Sequence, residues 1–475
     1  MAHVLPRLRP AATNKERSVK KGAPHFRARR VAIPVRPTNF PTLLPMNRRT
    51  FLRSSATALA FASTPSSLTR RARAADGKPE TILLQSAWDT VNIGDIGHTP
   101  GTLRILEQYL SDAHVILWAM KLDERVTAML RARFPKVEIL QGSLTGTTEK
   151  DEKLRAAIGR SDLFIRNSGM GQDTNFMEYC RKIGKPYGLY GQSYFPNMVE
   201  GAGGEERKEM LHGASFLYCR ESKTLDILRR AGVKPPVLEF GPDGCFGIDV
   251  RDDERGLATM KKLGLEERKF ITIQLRTNTA KLPGVDDKRV PSLNPLHPSP
   301  EQIADDERRA AVYRDLITQW VQRTGHKVLI APEVKKEMEH NKRLLCDPLP
   351  ADIRKHVVNL ESFWNADEAA SVFARAHTVV CHEPHSPIIA LANGTPIIHT
   401  YSEFHSPKCW MFKDIGLSEW LLEFDSTPVA KMAETLFAIH ADYPAALAKV
   451  KAAMHFVHER QAATMRVVKS VLAAK

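Results

Sequence analysis

Residues 374–401 read ARAHTVVCHEPHSPIIALANGTPIIHTY, and this stretch decides the fold that we expect for the chain. A short apolar run at 378–381 precedes a stretch of small and apolar residues, and a second apolar run follows at 396–400. Two apolar runs joined by a helical stretch are typical of a strand–helix–strand unit with parallel strands. The sequence therefore predicts an α/β fold in this region.

The same alternation extends through the chain from residue 78 onward. Apolar runs that predict strands lie at 81–85, 115–119, 137–140, 163–166, 187–191, 216–219, 270–275, 327–331, 357–360, 378–381 and 396–400. Helical periodicity fills the gaps, for example at 104–110 and 123–134. Strands that alternate with helices in this way favour parallel sheets covered by helices.

We therefore predict two Rossmann-like domains that face a cleft, at 78–250 and 266–425. The polar and charged segment 243–266 is expected to connect them. Residues 426–475 are expected to form helices that close the second domain or return to the first. The Pro-rich segment 277–300 lacks periodicity, and we interpret it as a lid or an acceptor-contact loop, with plain disorder as the alternative.

The net charge of +15 at pH 7 is concentrated at the amino terminus. Residues 1–75 contain 16 Lys and Arg and one acidic residue, Glu16, whereas the remaining 400 residues contain 53 of each sign. A nucleic-acid-binding protein would carry its basic excess on the folded body. The neutral body therefore argues against nucleic acid as the partner.

The sequence around Arg48 and Arg49 resembles a twin-arginine (Tat) export signal. An arginine pair is followed by a weakly apolar stretch and by Ala-Arg-Ala at 72–74, which fits a cleavage site. We interpret 46–74 as this signal and 1–45 as a disordered basic extension created by the choice of start codon. We expect an exported, periplasmic or cell-surface protein; the alternative is a basic tail whose arginines are simply solvated.

The cysteines and the hydropathy exclude several other classes of protein. Six cysteines are scattered along the chain without a C-x-x-C pair, which excludes a disulfide scaffold and a zinc ribbon. No apolar run reaches the roughly 18 residues of a membrane-spanning helix, so stable membrane insertion is not expected. The oligomeric state is left open.

Two glycine-spaced loops follow predicted strands in the first half of the chain. They contain Asn92, Gly94 and Asp95 in one loop and Ser168, Gly169 and Gly171 in the other. Such loops let the backbone approach a ligand beside a helix amino terminus, so we predict that both bind substrate. The alternative for the first loop is a tight turn in which Asn92 and Asp95 cap the helix.

Several short blocks occur in an order that resembles the polysaccharide pyruvyl transferase family. They are N-I-G-D at 92–95, a glycine-rich turn at 168–171, a G-K-P strand at 184–191, R-E-x-x-T at 220–224, G-x-D at 241–243 and a histidine loop, small-residue helix and G-x-P at 382–396. The resemblance implies a GT-B-like enzyme that moves a pyruvyl group from phosphoenolpyruvate to a saccharide of the cell surface. It implies phosphoenolpyruvate as co-substrate and no resident cofactor.

The chemistry of that reaction indicates which residue types to expect. Protonation of the enol methylene makes C2 an electrophile, two hydroxyls add, and phosphate leaves, which requires an acid/base near neutrality and cations for the donor. His385 matches the histidine of the family motif and is the predicted acid/base, because imidazole titrates near neutrality. Its alternative role is structural, as a cap of the following helix. For the donor anion we predict Arg276, with Arg220 and Lys408 as further candidates and interdomain ion pairs as the alternative for each.

Glu383 departs from the family pattern, which usually has an arginine two residues before the histidine. A carboxylate there repels an anionic donor. Export adds a second conflict, because phosphoenolpyruvate is a cytoplasmic metabolite. The sequence therefore supports the family fold more strongly than the reaction.

Three alternatives follow from these conflicts. The first is an exported glycan-binding protein on an inactive or altered-donor scaffold, in which aromatic side chains stack on sugars; the candidates are Trp88, Tyr190, Tyr194 and Trp410. The second is a GT-B glycosyltransferase. The third is a metal site, for which the potential ligands are Cys381, His382, Glu383, His385, His399, His405 and Cys409. His382 and His385 match no recognised zinc spacing, so no metal site is expected.

Overall fold

The computed structural model describes residues 79–171, 174–277, 299–402 and 407–474. The predicted basic extension at 1–45, the predicted export signal at 46–74 and most of the Pro-rich segment 277–300 lie outside these residues.

The first half of the described chain forms a parallel sheet. Its strands are β1 (Thr81–Ser86), β2 (His114–Ala119), β3 (Glu138–Leu140), β4 (Leu163–Arg166), β5 (Gly169–Met170), β6 (Tyr187–Ser193), β7 (Phe216–Cys219) and β8 (Leu238–Phe240). Their order across the sheet is β3-β2-β1-β4-β6-β7-β8, and β5 pairs with β6. Every pair is parallel.

A second parallel sheet follows. Its strands are β9 (Phe270–Gln274), β10 (Lys327–Ile330), β11 (Val357–Asn359), β12 (Thr378–Cys381), β13 (Ile397–Tyr401) and β14 (Leu421–Glu423). Their order is β11-β10-β9-β12-β13-β14, again with every pair parallel.

Helices connect the strands. In the first half they are α1 (Ile93–Tyr109), α2 (Glu124–Arg133), α3 (Glu149–Arg160), α4 (Asn175–Lys182), α5 (Pro196–Glu200), α6 (Gly204–His212) and α7 (Ser222–Arg230). In the second half they are α8 (Asp253–Leu263), α9 (Pro300–Thr324), α10 (Glu337–Asn341), α11 (Ala351–Arg354), α12 (Ala366–Phe373), α13 (His385–Ala392), α14 (Trp410–Asp414), α15 (Val429–Ala441) and α16 (Tyr443–Ala473). Short 3₁₀ turns lie at Gly244–Gly247, Pro407–Cys409 and Ser418–Trp420, and a π-helical turn lies at Lys342–Cys346.

The strand orders confirm the predicted α/β fold with two Rossmann-like sheets. Each sheet is doubly wound, because the order reverses between β1 and β4 in the first and between β9 and β12 in the second. The central strands are almost completely buried, as expected for parallel sheets with helices on both faces. Ligands of such folds bind beyond the carboxyl ends of the strands at the reversal point. The two reversal points therefore direct attention to the ends of these four strands.

The segment 243–266, predicted to connect the two domains, contains a 3₁₀ turn and a helix. Asp243 has no exposed surface, and its side chain accepts a hydrogen bond from the backbone N–H of Cys245 at the start of a 3₁₀ turn. Helix α8 follows from Asp253. The charged composition of this segment hid the fact that its first residue is buried. The strands β5, β8 and β14, which contain two or three residues each, were not predicted.

The last helix, α16, returns to the first sheet. Arg460 donates to the backbone carbonyl of Phe240 at the end of β8, with a distance of 2.6 Å. Thr464 lies 3.4 Å from the hydroxyl of Tyr190 in β6. These two contacts connect the last described helix to the first sheet.

All six cysteines lie in the described part of the chain; each is buried, and none forms a disulfide. Among the described helices, none is both long enough and apolar enough to cross a membrane.

Candidate functional site

The two halves of the molecule meet beside the amino terminus of α1. The backbone N–H of Ile93 donates to the carbonyl of Glu333 at 3.0 Å, and the N–H of Lys335 donates to the carbonyl of Val91 at 2.8 Å. The loop after β1 thus runs antiparallel to the loop after β10. This pairing brings together strand ends of both sheets, where a cleft ligand would bind.

His385 is the first residue of α13 and lies at this meeting point. Its Nδ1 is 3.0 Å from Oε1 of Glu333, whose other oxygen accepts from the N–H and the hydroxyl of Ser386. The ring is 3% exposed, and its Nε2 has no hydrogen-bond partner in the described residues. Burial, together with the neighbouring His98, lowers the pKa of His385 well below its ordinary value. The ring is therefore neutral at neutral pH and able to accept a proton.

The first glycine-spaced loop lies directly against the ring of His385. A Cβ at Gly94 would lie 2.5 Å from Cγ of His385, so the absence of a side chain makes room for the imidazole. Asn92 caps α1 by accepting from the N–H groups of Gly94 and Asp95 at 2.8 and 3.4 Å. Burial raises the pKa of Asp95. Asn92 therefore caps the helix, as the alternative for this loop predicted. Gly94 lets the backbone approach the ring of His385.

Arg220 follows β7 and is held by protein groups. Its Nε donates to the Ser193 hydroxyl and its Nη1 to Oδ2 of Asp243, each at 2.7 Å. The side chain is 1% exposed. Burial opposes ionisation of Asp243, but the neighbouring His98 and Arg220 outweigh it and hold the pKa of this carboxyl well below its ordinary value. Arg220 and Asp243 therefore form a buried ion pair.

His98 joins this cluster, and sequence reasoning missed it. Its Nδ1 lies 2.9 Å from Oδ1 of Asp243, and its ring meets that of His385 edge to face with centroids 4.6 Å apart. His98 lies inside α1 and is 2% exposed. A histidine three residues after the N-I-G-D block was the available signal.

The second glycine-spaced loop packs against residues that follow other strands of the first sheet. The hydroxyl of Ser168 accepts from the N–H of Gly244 at 3.0 Å. The carbonyl of Gly169 lies 3.5 Å from Nη2 of Arg220, and a Cβ at Gly171 would overlap the ring of Tyr194. These residues support Arg220 and the turn after Asp243.

Comparison with known proteins identifies the family. The model of the polysaccharide pyruvyl transferase family matches residues 92–403. The chain belongs to the polysaccharide pyruvyl transferase family. No curated protein sequence matches the chain.

Solved structures show the fold of this family member. The S. aureus MnaA–UDP complex has a TM-score of 0.50 at 11% identity, covering 78% of this chain and 91% of that one. Anabaena Alr3699/HepE in complex with UDP gives 0.49 at 13% identity, with coverages of 82% and 99%. The similarity to MnaA supports a GT-B-like architecture for this chain. No conclusion is drawn from the similarity to HepE.

Two predicted anion-binding residues of this pyruvyl transferase family member lie on the second sheet. Arg276 follows β9, and its Nε lies 3.3 Å from Oε1 of Glu383, the residue that departs from the family pattern. Lys408 lines a small cavity with Arg276 and His382. Burial and the charge of Arg220 lower the pKa of Lys408. The structure thus places Arg276 and Lys408 together, with Glu383 against the arginine.

The potential metal ligands considered from the sequence do not form one group. His399 Nδ1 lies 2.9 Å from the carbonyl oxygen of Cys381, and His382 Nδ1 lies 3.1 Å from the Thr400 hydroxyl. His405 lies outside the described residues.

A different group within the described ranges has ligand atoms near enough to share an ion. It consists of His98, Asp243 and His385.

Of the four aromatic residues considered for sugar stacking, two are inaccessible. Tyr190 and Tyr194 are each 1% exposed, so neither ring can stack on a saccharide. Trp88 and Trp410 are partly exposed. Lys413 lies 4.0 Å from the Trp410 ring centroid, and the Arg166 guanidinium lies 4.7 Å from that of Trp88.

Proposed function

We propose that this chain transfers a pyruvyl group from phosphoenolpyruvate to two hydroxyls of a cell-surface saccharide, forming a ketal. The observation that carries the proposal is the meeting of His385, from the second sheet, with the buried Arg220–Asp243 pair from the first. Family membership supplies the reaction class, and the two-sheet fold supplies a cleft for donor and acceptor.

The reaction requires several proton movements. A proton from solvent adds to C3 of the donor and C2 becomes an oxocarbenium-like electrophile. The first hydroxyl bonds to C2 and gives up its proton. The C2–O bond to phosphate then breaks, inorganic phosphate takes up a proton and departs, and the second hydroxyl bonds to C2 with loss of its proton to solvent. Each addition therefore needs a base near C2.

His385 is the residue that we propose for this base. Its lowered pKa keeps the ring neutral, so that Nε2 can hold a lone pair, and Glu333 orients the ring through its contact with Nδ1. A positioned base contributes roughly 10²- to 10⁴-fold to the rate of such steps.

Arg276 and Lys408 are proposed to bind the carboxylate and phosphate of the donor. Within the part of the chain that the structure describes, Arg276 directs its Nε and Nη1 toward Glu383, and a guanidinium has five N–H donors in all. Arg220 is proposed to act nearby, with Asp243 holding its guanidinium in place. The Asn92 and Ser168 loops are proposed to shape the cleft.

One observation favours a second candidate function. Glu383 cancels the charge of Arg276, which weakens binding of a trianionic donor. An exported protein on an altered-donor or inactive scaffold, with Trp88 and Trp410 at a glycan, fits that cancellation. We propose Tat export for either function, on the basis of the residue pattern at 46–74.

The experiment that separates the two functions is calorimetric titration of the chain with phosphoenolpyruvate. The transferase proposal expects binding that Arg276→Ala weakens by at least ~10-fold, as expected when a charged hydrogen bond is lost. Arg308→Ala is the matched control, because Arg308 also pairs with carboxylates but at the exposed Asp305 and Asp425. Absence of binding at millimolar donor would reject the proposal and favour the glycan-binding scaffold.

A further inference from the structure

A carboxylate and two histidines converge in the buried centre of the molecule. Ligand atoms of His98, Asp243 and His385 all lie within 4.8 Å of one another, and all three side chains are buried. We propose that these three residues form a binding site for one divalent transition-metal ion, such as Zn²⁺. Two imidazole nitrogens and one carboxylate oxygen are a donor set that such ions accept, and a fourth position stays open.

Two histidine nitrogens face the Asp243 carboxylate at this point. His98 Nδ1 lies 2.9 Å from Oδ1 of Asp243, and His385 Nε2 lies 4.0 Å from Oδ2 of the same carboxylate. Both nitrogens are inaccessible to solvent, and His385 Nε2 has no hydrogen-bond partner within the described ranges. A buried polar atom without a hydrogen-bond partner is unfavourable, so the Nε2 lone pair of His385, beside a carboxylate and a second imidazole, suits a bound cation.

The neighbouring residues determine which ring nitrogen of His385 can coordinate a metal ion. Glu333 faces Nδ1 at 3.0 Å, and a carboxylate there holds the proton on Nδ1. The lone pair is then on Nε2, the atom that faces Asp243. Glu333 is itself fixed by the N–H and hydroxyl of Ser386. A carboxylate behind a histidine is the usual support of a metal ligand, since it orients the ring and raises its basicity.

The charge of the cluster permits a cation. The acidic groups around it are Asp95, Glu221, Asp243 and Glu333, and the basic groups are Arg220 and Lys408. Arg220 donates to Oδ2 of Asp243, whereas Oδ1 faces His98. The excess of carboxylates offsets the repulsion between Arg220 and a bound ion.

Metal binding and proton transfer exclude each other at His385, because both use the Nε2 lone pair. If the proposed function holds, a bound ion therefore switches transfer off and its removal restores it. This consequence rests on the proposed function, whereas the metal site itself does not.

The test is zinc binding by the chelator-treated full chain, measured by calorimetry with Zn²⁺ alone and by the visible spectrum with Co²⁺ alone. We expect one ion per chain and a cobalt spectrum without a thiolate charge-transfer band. His98→Ala and His385→Ala should each weaken zinc binding by at least ~10-fold. Glu333→Gln should weaken it about 10-fold, the usual effect of losing such a support. His382→Asn is the matched control, because His382 is a buried histidine outside the cluster, and its zinc affinity should equal that of wild type.

Absence of zinc uptake by the wild type would overturn the proposal, as would full-strength binding by both histidine variants. A thiolate band, or equal loss in His382→Asn, would assign the ion to other ligands. If the alanine variants do not fold, His98→Gln and Glu333→Gln replace them: weaker zinc binding in both supports the proposed site, and full-strength binding in both overturns it. Zinc binding without phosphoenolpyruvate binding would support the metal site and reject the transferase. Phosphoenolpyruvate binding without zinc binding would support the transferase and reject the metal site.

Discussion

The Arg276 guanidinium lies against the Glu383 carboxylate, with Nε 3.3 Å from Oε1 and Nη1 3.4 Å from Oε2. One residue is the predicted anion binder and the other is the departure from the family motif. Their pairing means that the unusual carboxylate would act on the proposed donor site through the arginine that it contacts.

Glu383→Gln should therefore strengthen phosphoenolpyruvate binding by at least ~10-fold, because it removes a negative charge beside the site and releases Arg276. Calorimetric titration measures the change. Glu361→Gln is the control: it releases Lys262 from a comparable pair on the exposed surface and should leave donor affinity unchanged. Weaker binding in the Glu383 variant would show that the carboxylate contributes to the site.

Gly94→Ala should lower pyruvyl transfer by at least ~100-fold, because the new Cβ displaces the His385 ring. The unfolding free energy should fall by roughly 1–3 kcal/mol as the overlap is relieved. The control is Gly159→Ala in α3, where a Cβ meets no atom within 4 Å and helix propensity predicts a gain of about 0.5–1 kcal/mol. Phosphate release with a panel of saccharides and denaturant unfolding report the two effects; unchanged turnover in Gly94→Ala would contradict the role of His385.

His385→Ala should abolish transfer while leaving the secondary structure intact. The side chain is buried, so the variant should lose roughly 2 kcal/mol or more of stability yet stay folded. Turnover and circular dichroism are the measurements. Unchanged turnover would reject the base assignment.

Glu337→Gln should remove a pH dependence of stability. Burial raises the pKa of Glu337 to about 8, above its ordinary value of 4.5. Between these values the unfolded state releases the proton and the folded state keeps it, so the contribution to stability is present at low pH and is lost as pH rises toward about 8.

The stability of Glu337→Gln relative to wild type should therefore rise by at least ~2 kcal/mol between about pH 5 and about pH 8.5. Denaturant unfolding at the two pH values measures it. Glu339→Gln, on the exposed face of the same helix, should show no such change. A constant difference between wild type and the Glu337 variant would show that Glu337 is ionised in the folded state.

Ser222→Ala should loosen the connection between the halves of the molecule. The Ser222 hydroxyl and N–H bond the two carboxylate oxygens of Asp414, at 2.7 and 2.6 Å, from α7 to the end of α14. Losing the hydroxyl leaves one oxygen of a half-buried carboxylate without this donor, at a cost of about 1 kcal/mol. The control is Ser470→Ala, whose exposed hydroxyl bonds within its own helix. Equal melting temperatures for the two variants would refute the expectation.

The sheets could be predicted because parallel strands are buried on both faces and read as continuous apolar runs. The runs at 163–166, 216–219 and 378–381 coincide with β4, β7 and β12. The short strands β5 and β14 were not predicted; each is recognised only by its backbone pairing with a neighbouring strand. The roles of Gly94 and Gly171 were likewise beyond sequence reasoning, because each glycine makes room for a ring from a distant segment.

The sequence by itself determined the α/β architecture and the family, because apolar periodicity and the order of short motifs are both local properties. Only the tertiary structure decided which charges meet. Arg276 meets Glu383, Arg220 meets Asp243, and His98 joins His385, because parallel sheets bring the carboxyl ends of separate strands to one place. Whether a side chain there binds a ligand, a metal ion or another residue depends on distance and burial. Those quantities are set by packing across the two sheets, and no stretch of the sequence contains them.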